Sequence, residues 1–243
     1  MFTMIQKIVS FIVCLYSLSI AIEGIASPAQ TKETLTYKIS YFYLIPFGTA
    51  SLTIEEQTTK PEDVNVKYNL TVLPSRFIHF FSHLKASLSA EKKKDIVLYQ
   101  EDIESQMSRP EHNTIIYNHK ENIMEFPRGQ FQGLRKKVNP DTLDPFSLFP
   151  ILRNSPFKKG DTLRLVLNSH QSNYILKGVV QDETEKTWKI HFTMQREDKQ
   201  DKKPKLTLDI WIKKPLHGEK ATPTLFKAKT LIGPFTIKLV SAS

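Results

Sequence analysis

The sequence is poor in cysteine and glycine. Its one cysteine is Cys14, and glycine occurs 8 times in 243 residues. No G-x-S-x-G turn is present, and so few glycines make a glycine-built nucleophile elbow or phosphate loop improbable. No cysteine remains beyond position 14 to form a disulfide or act as a nucleophile. After the first 26 residues no segment is apolar enough for long enough to cross a membrane as a helix. Long helical repeats between the strand-like segments are also scarce, which argues against βαβ crossovers and a parallel sheet.

The N-terminus does carry an apolar run. Lys7 precedes a mostly apolar stretch, Ile8 to Ile22, which ends at Glu23, with Gly24 and Ala26 at the −3 and −1 positions of a cut after Ala26. That is the layout of a secretory signal peptide, and the run is short for a membrane span, which needs about 20 apolar residues. The expected organisation is a signal peptide over 1–26 and a single domain over 27–243, with a retained N-terminal anchor as the alternative. An exported chain without disulfides must fold by burial and strand pairing alone.

Period-two alternation fills the rest. Leu35, Tyr37, Ile39, Tyr41 and Tyr43 share one face of a segment, and Leu52 and Ile54 alternate with Thr53 and Glu55. Val64, Val66, Tyr68, Leu70 and Val72 oppose Asn65, Lys67, Asn69 and Thr71. The same rule holds from Leu84, Leu163, Trp188, Leu206 and Phe235. Strands with one apolar and one wet face predict antiparallel pairing, with about 11 to 13 strands in all. The expected fold is mainly β: a single curved antiparallel sheet forming a barrel or half-barrel, with one or two short helices over its open side. Turns are expected at 45–48, 59–63, 158–161, 197–203, 216–220 and 232–234.

Two stretches break the alternation. In residues 74–84, Phe77, Ile78, Phe80 and Phe81 make a short helical stripe with Ser75 as its N-cap. In residues 141–153 (DTLDPFSLFPILR), Asp144 suits an N-cap and Pro145 the first helical position. Phe146, Leu148, Phe149 and Leu152 then cover most of a helix that Pro150 should kink or end early. Such a helix can be a permanent plug or a movable lid.

Several stretches in order resemble one family. These are the L-x-Y-x-(apolar)-x-Y pattern at 35–41, running into Gly48-x-Ala50; YQEDIESQM at 99–107; the D-P-x-S…R pattern from Asp144 to Arg153; and an (apolar)-Trp strand at 208–212 followed by Pro223, Gly233 and an apolar end. The sequence is similar to the bacterial exported family known as domain of unknown function 3108. In that family an acidic turn usually follows the Trp strand, whereas Lys213, Lys214 and Pro215 stand here. The resemblance implies a β-rich envelope protein of Gram-negative-type bacteria and no catalytic residues. The expected architecture is also similar to the half-barrels of periplasmic lipoprotein carriers.

The formal net charge is +9, spread over small basic clusters at 91–94, 135–137, 158–159, 201–205 and 213–214. These read as solvated loop ends or as attraction to an anionic membrane surface. No nucleic-acid motif is present. His79 and His83 have the i, i+4 spacing of metal ligands, but phenylalanines stand where the zinc helix needs a Glu. No enzyme activity, metal or cofactor is expected.

The expected function is a periplasmic binding or carrier module for a lipid or other apolar ligand. Tyr37, Ile39, Tyr41, Leu52, Tyr68 and Leu70 would form the pocket wall, and Phe77, Phe81, Phe146 and Phe149 would gate it. The alternative is a structural or assembly factor that binds an envelope protein partner through its surface.

Overall fold

The computed structural model describes residues 30–42, 44–60, 63–76, 78, 85–104, 110–169, 172–198, 206–216, 220–230 and 233–243. The expected signal peptide, most of the 77–84 stripe with Phe77 and Phe81, and the His79–His83 pair lie outside them.

Strands β1 (Gln30–Tyr41), β2 (Ile45–Lys60), β3 (Asp63–Pro74), β4 (Lys85–Lys93), β5 (Ile96–Glu104), β6 (Glu111–Asn118), β7 (Ile123–Arg128) and β8 (Arg135–Lys137) follow one another as neighbours. The chain then crosses through β9 (Thr142–Leu143), a 3-10 turn (Pro145–Ser147) and helix α1 (Leu148–Asn154). A second run follows: β10 (Thr162–Ser169), β11 (Ser172–Glu183), β12 (Thr187–Arg196), β13 (Leu206–Lys213), β14 (Thr222–Thr230) and β15 (Gly233–Ala242). β15 returns to pair with β1, so all 15 strands form one sheet in which β8 and β9 are the edges. Every pairing is antiparallel except β9 with β10.

Because each strand has one apolar face, a flat sheet would leave that face in water. The sheet instead curls around it. No ladder joins the edge strands, so the barrel is not closed. Side chains reach across the seam: Tyr117 on β6 donates to Asn168 Oδ1 on β10 at 3.3 Å, and His119 Nε2 lies 4.0 Å from Asp144 Oδ2.

The expected strands are present. The count exceeds the expectation because β8 and β9 span three and two residues, too short to show a period. The 45–48 segment is strand, not turn. β1 ends at Tyr41 and β2 starts at Ile45, so the chain reverses between them, and Pro46 sits in β2 beside a register shift that spares a ladder donor. Gly48 has a different purpose from turning the chain. A Cβ there would lie 2.3 Å from the Leu73 carbonyl oxygen, so β3 can approach β2 only over a bare backbone. Pro150 neither kinks nor ends the helix early. It occupies the first turn of α1, where its missing N–H is not needed, and α1 continues to Asn154.

Gly48→Ala is expected to destabilise the protein by at least about 1–3 kcal/mol, because backbone must move to admit the methyl group. Urea unfolding followed by far-UV circular dichroism measures this, and an unchanged midpoint would show that β2 and β3 have room to part.

Candidate functional site

The segment 144–154 buries one side of itself in the curled sheet: Pro145, Phe146, Leu148, Phe149, Leu152 and Arg153 are buried, and Asn154 is exposed. Asp144 starts it: its Oδ1 accepts from Phe146 N at 2.8 Å and from Ser147 N at 3.1 Å, and Ser147 Oγ donates to Oδ2. The carboxylate thereby satisfies N–H groups that have no helical partner. Pro145 follows at the position where no donor is needed. Phe146 then stacks on Tyr68 of β3 at 5.4 Å and tilts against Tyr99 of β5 at 5.8 Å.

Arg153 holds the other end. Its Nη1 and Nη2 donate to the two oxygens of Glu33 on β1 at 3.1 and 3.2 Å, a bidentate pair, and its guanidinium lies 5.5 Å over the Phe149 ring. Beyond α1, Phe157 packs edge-on against Trp188 of β12 at 5.6 Å. Ser75 likewise caps the turn after β3, accepting from Ile78 N at 3.4 Å and donating to Pro46 O at 2.7 Å.

The structure brings the proposed wall and the 144–154 segment into one core. Ile39, Leu52, Leu70, Leu148 and Leu152 are 0 % exposed, and Tyr37, Phe146 and Phe149 are 1 % exposed. The five residues at 0 % border no space that a water molecule could enter. Tyr68 is 4 % exposed, and Tyr41 is half-buried at the end of β1, where its ring meets Phe235 at 4.9 Å. Beside Phe146 a gap of about 20 Å³ remains, lined by Tyr68, Ala90, Val97, Asp144 and Pro150 among others. That holds about one water, not a lipid chain. An open surface groove of about 550 Å³ runs along Ser155–Phe157 and Gly160–Leu163. Among the described residues no group of three or more His, Cys, Asp and Glu converges as a metal site would require.

Charges inside the barrel were missed by the sequence reading. Glu56 Oε1 lies 3.5 Å from Lys220 Nζ, with side chains 4 % and 15 % exposed. Burial pushes the Glu56 carboxyl above its ordinary range, Lys220 pulling the other way, and burial pushes Lys220 down to about 8. Arg153 and Glu33 act on both through their charges. Burial also raises the Tyr37 phenol well above its usual value, and its hydroxyl donates to Pro223 O at 3.1 Å. A signal was there to find: Glu33 and Glu56 occupy inward positions of the strands that place Leu35, Tyr37, Leu52 and Ile54 inside. Glu101, fully buried between Tyr99 and Ile103, breaks the alternation in the same way.

The outer face differs between the two halves of the sheet. Outward positions of β12 to β15 carry Lys189, Lys213, Lys227, Lys229 and Lys238, with Asp209 as the acidic residue among them. Trp211 is half-buried there, with Lys189 and Lys227 ammonium groups each 5.3 Å from its ring centroid. Asp209 Oδ1 accepts from His191 Nδ1 at 2.6 Å, a half-buried pair on the wet face. Outward positions of β3 to β5 are mixed: Lys67, Ser87, Glu91, Lys93, Gln100 and Asp102.

Residues 36–240 match the protein family of unknown function DUF3108. The chain belongs to that family. No curated protein is similar to it at a significant level. Among solved structures, it is similar to a β-barrel-like protein of domain of unknown function DUF1849 from Brucella abortus, with a TM-score of 0.57, 8 % identity, and coverage of 87 % of this chain and 97 % of that one. At such identity the likeness shows a shared β-barrel-like fold. The stretches of this DUF3108 chain that carried the resemblance have structural work: Asp144, Pro145 and Ser147 start the inner segment, Arg153 fastens it, and Gly48 lets β3 approach.

Phe146→Ala is expected to cost about 3–5 kcal/mol and Asp144→Ala about 1–2 kcal/mol, both measured by urea unfolding. Lys220 adds a pH dependence. Its folded pKa of about 8 lies below the ordinary 10.5, so between those values the unfolded chain holds more protons on this group. Stability from Lys220 therefore rises with pH across that window. The melting temperature of the wild type relative to Lys220→Met should climb from pH 8 toward 10.5, and a flat difference would contradict the burial argument.

Proposed function

We propose that this chain is a non-catalytic module of the bacterial envelope that works through its outer surface, and that its interior is structural. The leader-like pattern at 1–26 supports export to the periplasm. The observation that carries the reading is the filled interior: Ile39, Leu52, Leu70, Leu148 and Leu152 touch no open space, and the 144–154 segment occupies the volume a ligand would need. A barrel that enclosed an acyl chain would leave its wall residues partly exposed to a cavity when empty. Here Tyr68 stacks on Phe146 of that segment instead.

The carrier reading needs that segment to leave. Departure would break the Arg153–Glu33 pair and expose Phe146, Phe149, Leu148 and Leu152 together. Exposing those four apolar side chains alone costs about 1.5–3 kcal/mol each.

Two measurements separate these functions. Native mass spectrometry of gently purified protein is expected to show the mass of the polypeptide alone. In cells, a photoreactive residue placed at Trp211 or Lys238 is expected to form adducts with an envelope component, whereas one placed at Leu70 is expected to react only within the chain. A co-purifying lipid, together with lipid adducts at Leu70, would overturn the surface reading in favour of a carrier.

A further inference from the structure

We propose that the reversal between β1 and β2 is a membrane-docking element, and that its partner is an anionic phospholipid bilayer. This rests on the outer-surface reading above and names the surface and its partner.

Three observations converge on it. The first is apolar exposure where the chain has no need of it. Leu44 is 87 % exposed, Phe42 51 % and Ile45 42 %, all where β1 gives way to β2. Leu73, 52 % exposed, faces outward on β3 opposite Thr49 of β2. A solvent-exposed reversal ordinarily carries Gly, Asn, Asp or Ser, and contiguous large apolar groups there mark a binding surface.

The second is the backbone. Phe42 has φ of 47°, a left-handed conformation that a bulky residue rarely adopts. The surroundings hold it: Phe42 N donates to Pro234 O at 2.9 Å, its ring meets Tyr41 edge-on at 4.6 Å, and it sits over Gly233 so closely that a Cβ there would be 3.0 Å from the ring. Phe42 is therefore held by specific contacts, and its ring is presented rather than left over. That matters because a side chain already held loses little entropy on insertion.

The third is charge. Phe42 lies level with Pro234 of β15, and Pro234 is opposite Lys229 of β14. One step back from the tip, Ser40 is opposite Thr236, which is opposite Lys227. One step further, Lys38 is opposite Lys238. Outward-facing lysines thus stand behind the apolar tip at successive levels. An apolar tip seated among acyl chains would bring them to the depth of the head groups, where anionic lipid attracts them. Trp211, between Lys189 and Lys227, extends the same aromatic and basic face.

The test is flotation of the full chain with vesicles. Vesicles of phosphatidylglycerol and phosphatidylethanolamine should bind at least about tenfold more protein than vesicles of phosphatidylcholine, and added sodium chloride should weaken that binding. Leu44→Asp should reduce it at least about tenfold. Lys227→Glu combined with Lys229→Glu should reduce it about tenfold or more. Lys67→Glu combined with Lys93→Glu, the same charge change on the exposed outer face of β3 and β4, should leave it within about twofold of wild type. Each altered residue is exposed, and far-UV circular dichroism checks that the variants fold.

Depth is read separately. In a Cys14→Ser chain, an environment-sensitive dye on Leu44→Cys should shift to the blue with anionic vesicles, whereas the same dye on Lys67→Cys should not. Equal binding to neutral and anionic vesicles, no binding, or full binding by Leu44→Asp would each overturn the proposal. Should it fail while outer-face adducts still form at Trp211, the membrane is the wrong partner and the surface reading stands. Lipid adducts at Leu70 would instead remove the surface reading itself.

Discussion

The structure depends on covering one continuous apolar face. Each strand buries alternate side chains, and the sheet they form has no second layer to lie against. Curling solves part of the problem, but a barrel of this many strands encloses more space than its own side chains fill. Residues 144–154 supply the missing volume. Leu148, Phe149 and Leu152 add little surface of their own to water, and Phe146 reaches Tyr68 and Tyr99 on the opposite wall. The segment thus acts as the second layer that a sandwich fold would provide with another sheet.

That solution has a cost at its ends. A helix set into a barrel takes one terminus inside with it, with backbone groups that water cannot reach, while Asn154 at the other end stays exposed. At one end Asp144 meets the need with its own carboxylate, itself buried. At the other, Arg153 is drawn into the interior and needs Glu33 beside it. Glu56 and Lys220 share the same region, and their opposed pKa displacements mark how little water is present. The polar residues of the core are thus tied to the choice of a helical filler.

Much of this was legible beforehand. Antiparallel strands with one apolar face, a curved sheet, a helical segment opened by an Asp144 cap and a cap at Ser75 all follow from local rules acting over a few residues. What those rules could not reach was distance. Nothing in the local sequence says that Glu33 waits for Arg153, since the pair joins positions 120 residues apart. Gly48 read as a turn residue because glycine usually is one; its purpose lies in a carbonyl on another strand. Pro150 read as a breaker because the start of α1 was placed too early, at Pro145, instead of after a separate 3-10 turn. The proposed wall residues were chosen for facing inward, and they do; whether an interior is hollow depends on the total volume of many side chains, which no single stretch encodes.

The position of β1 and β15 has a bearing on how the chain acquires its shape. Each half of the sheet grows by short hairpins between successive segments, and such local pairings form quickly. The two halves meet along β1 and β15, where Leu35 is opposite Ala242. That union closes a loop of nearly the whole polypeptide, so it carries the largest entropic penalty and comes late. A chain threaded through a membrane from its N-terminus would wait with β1 unpaired on one side until its last strand arrived. Over that interval the open border of β1 is the place most prone to mistaken pairing with another chain.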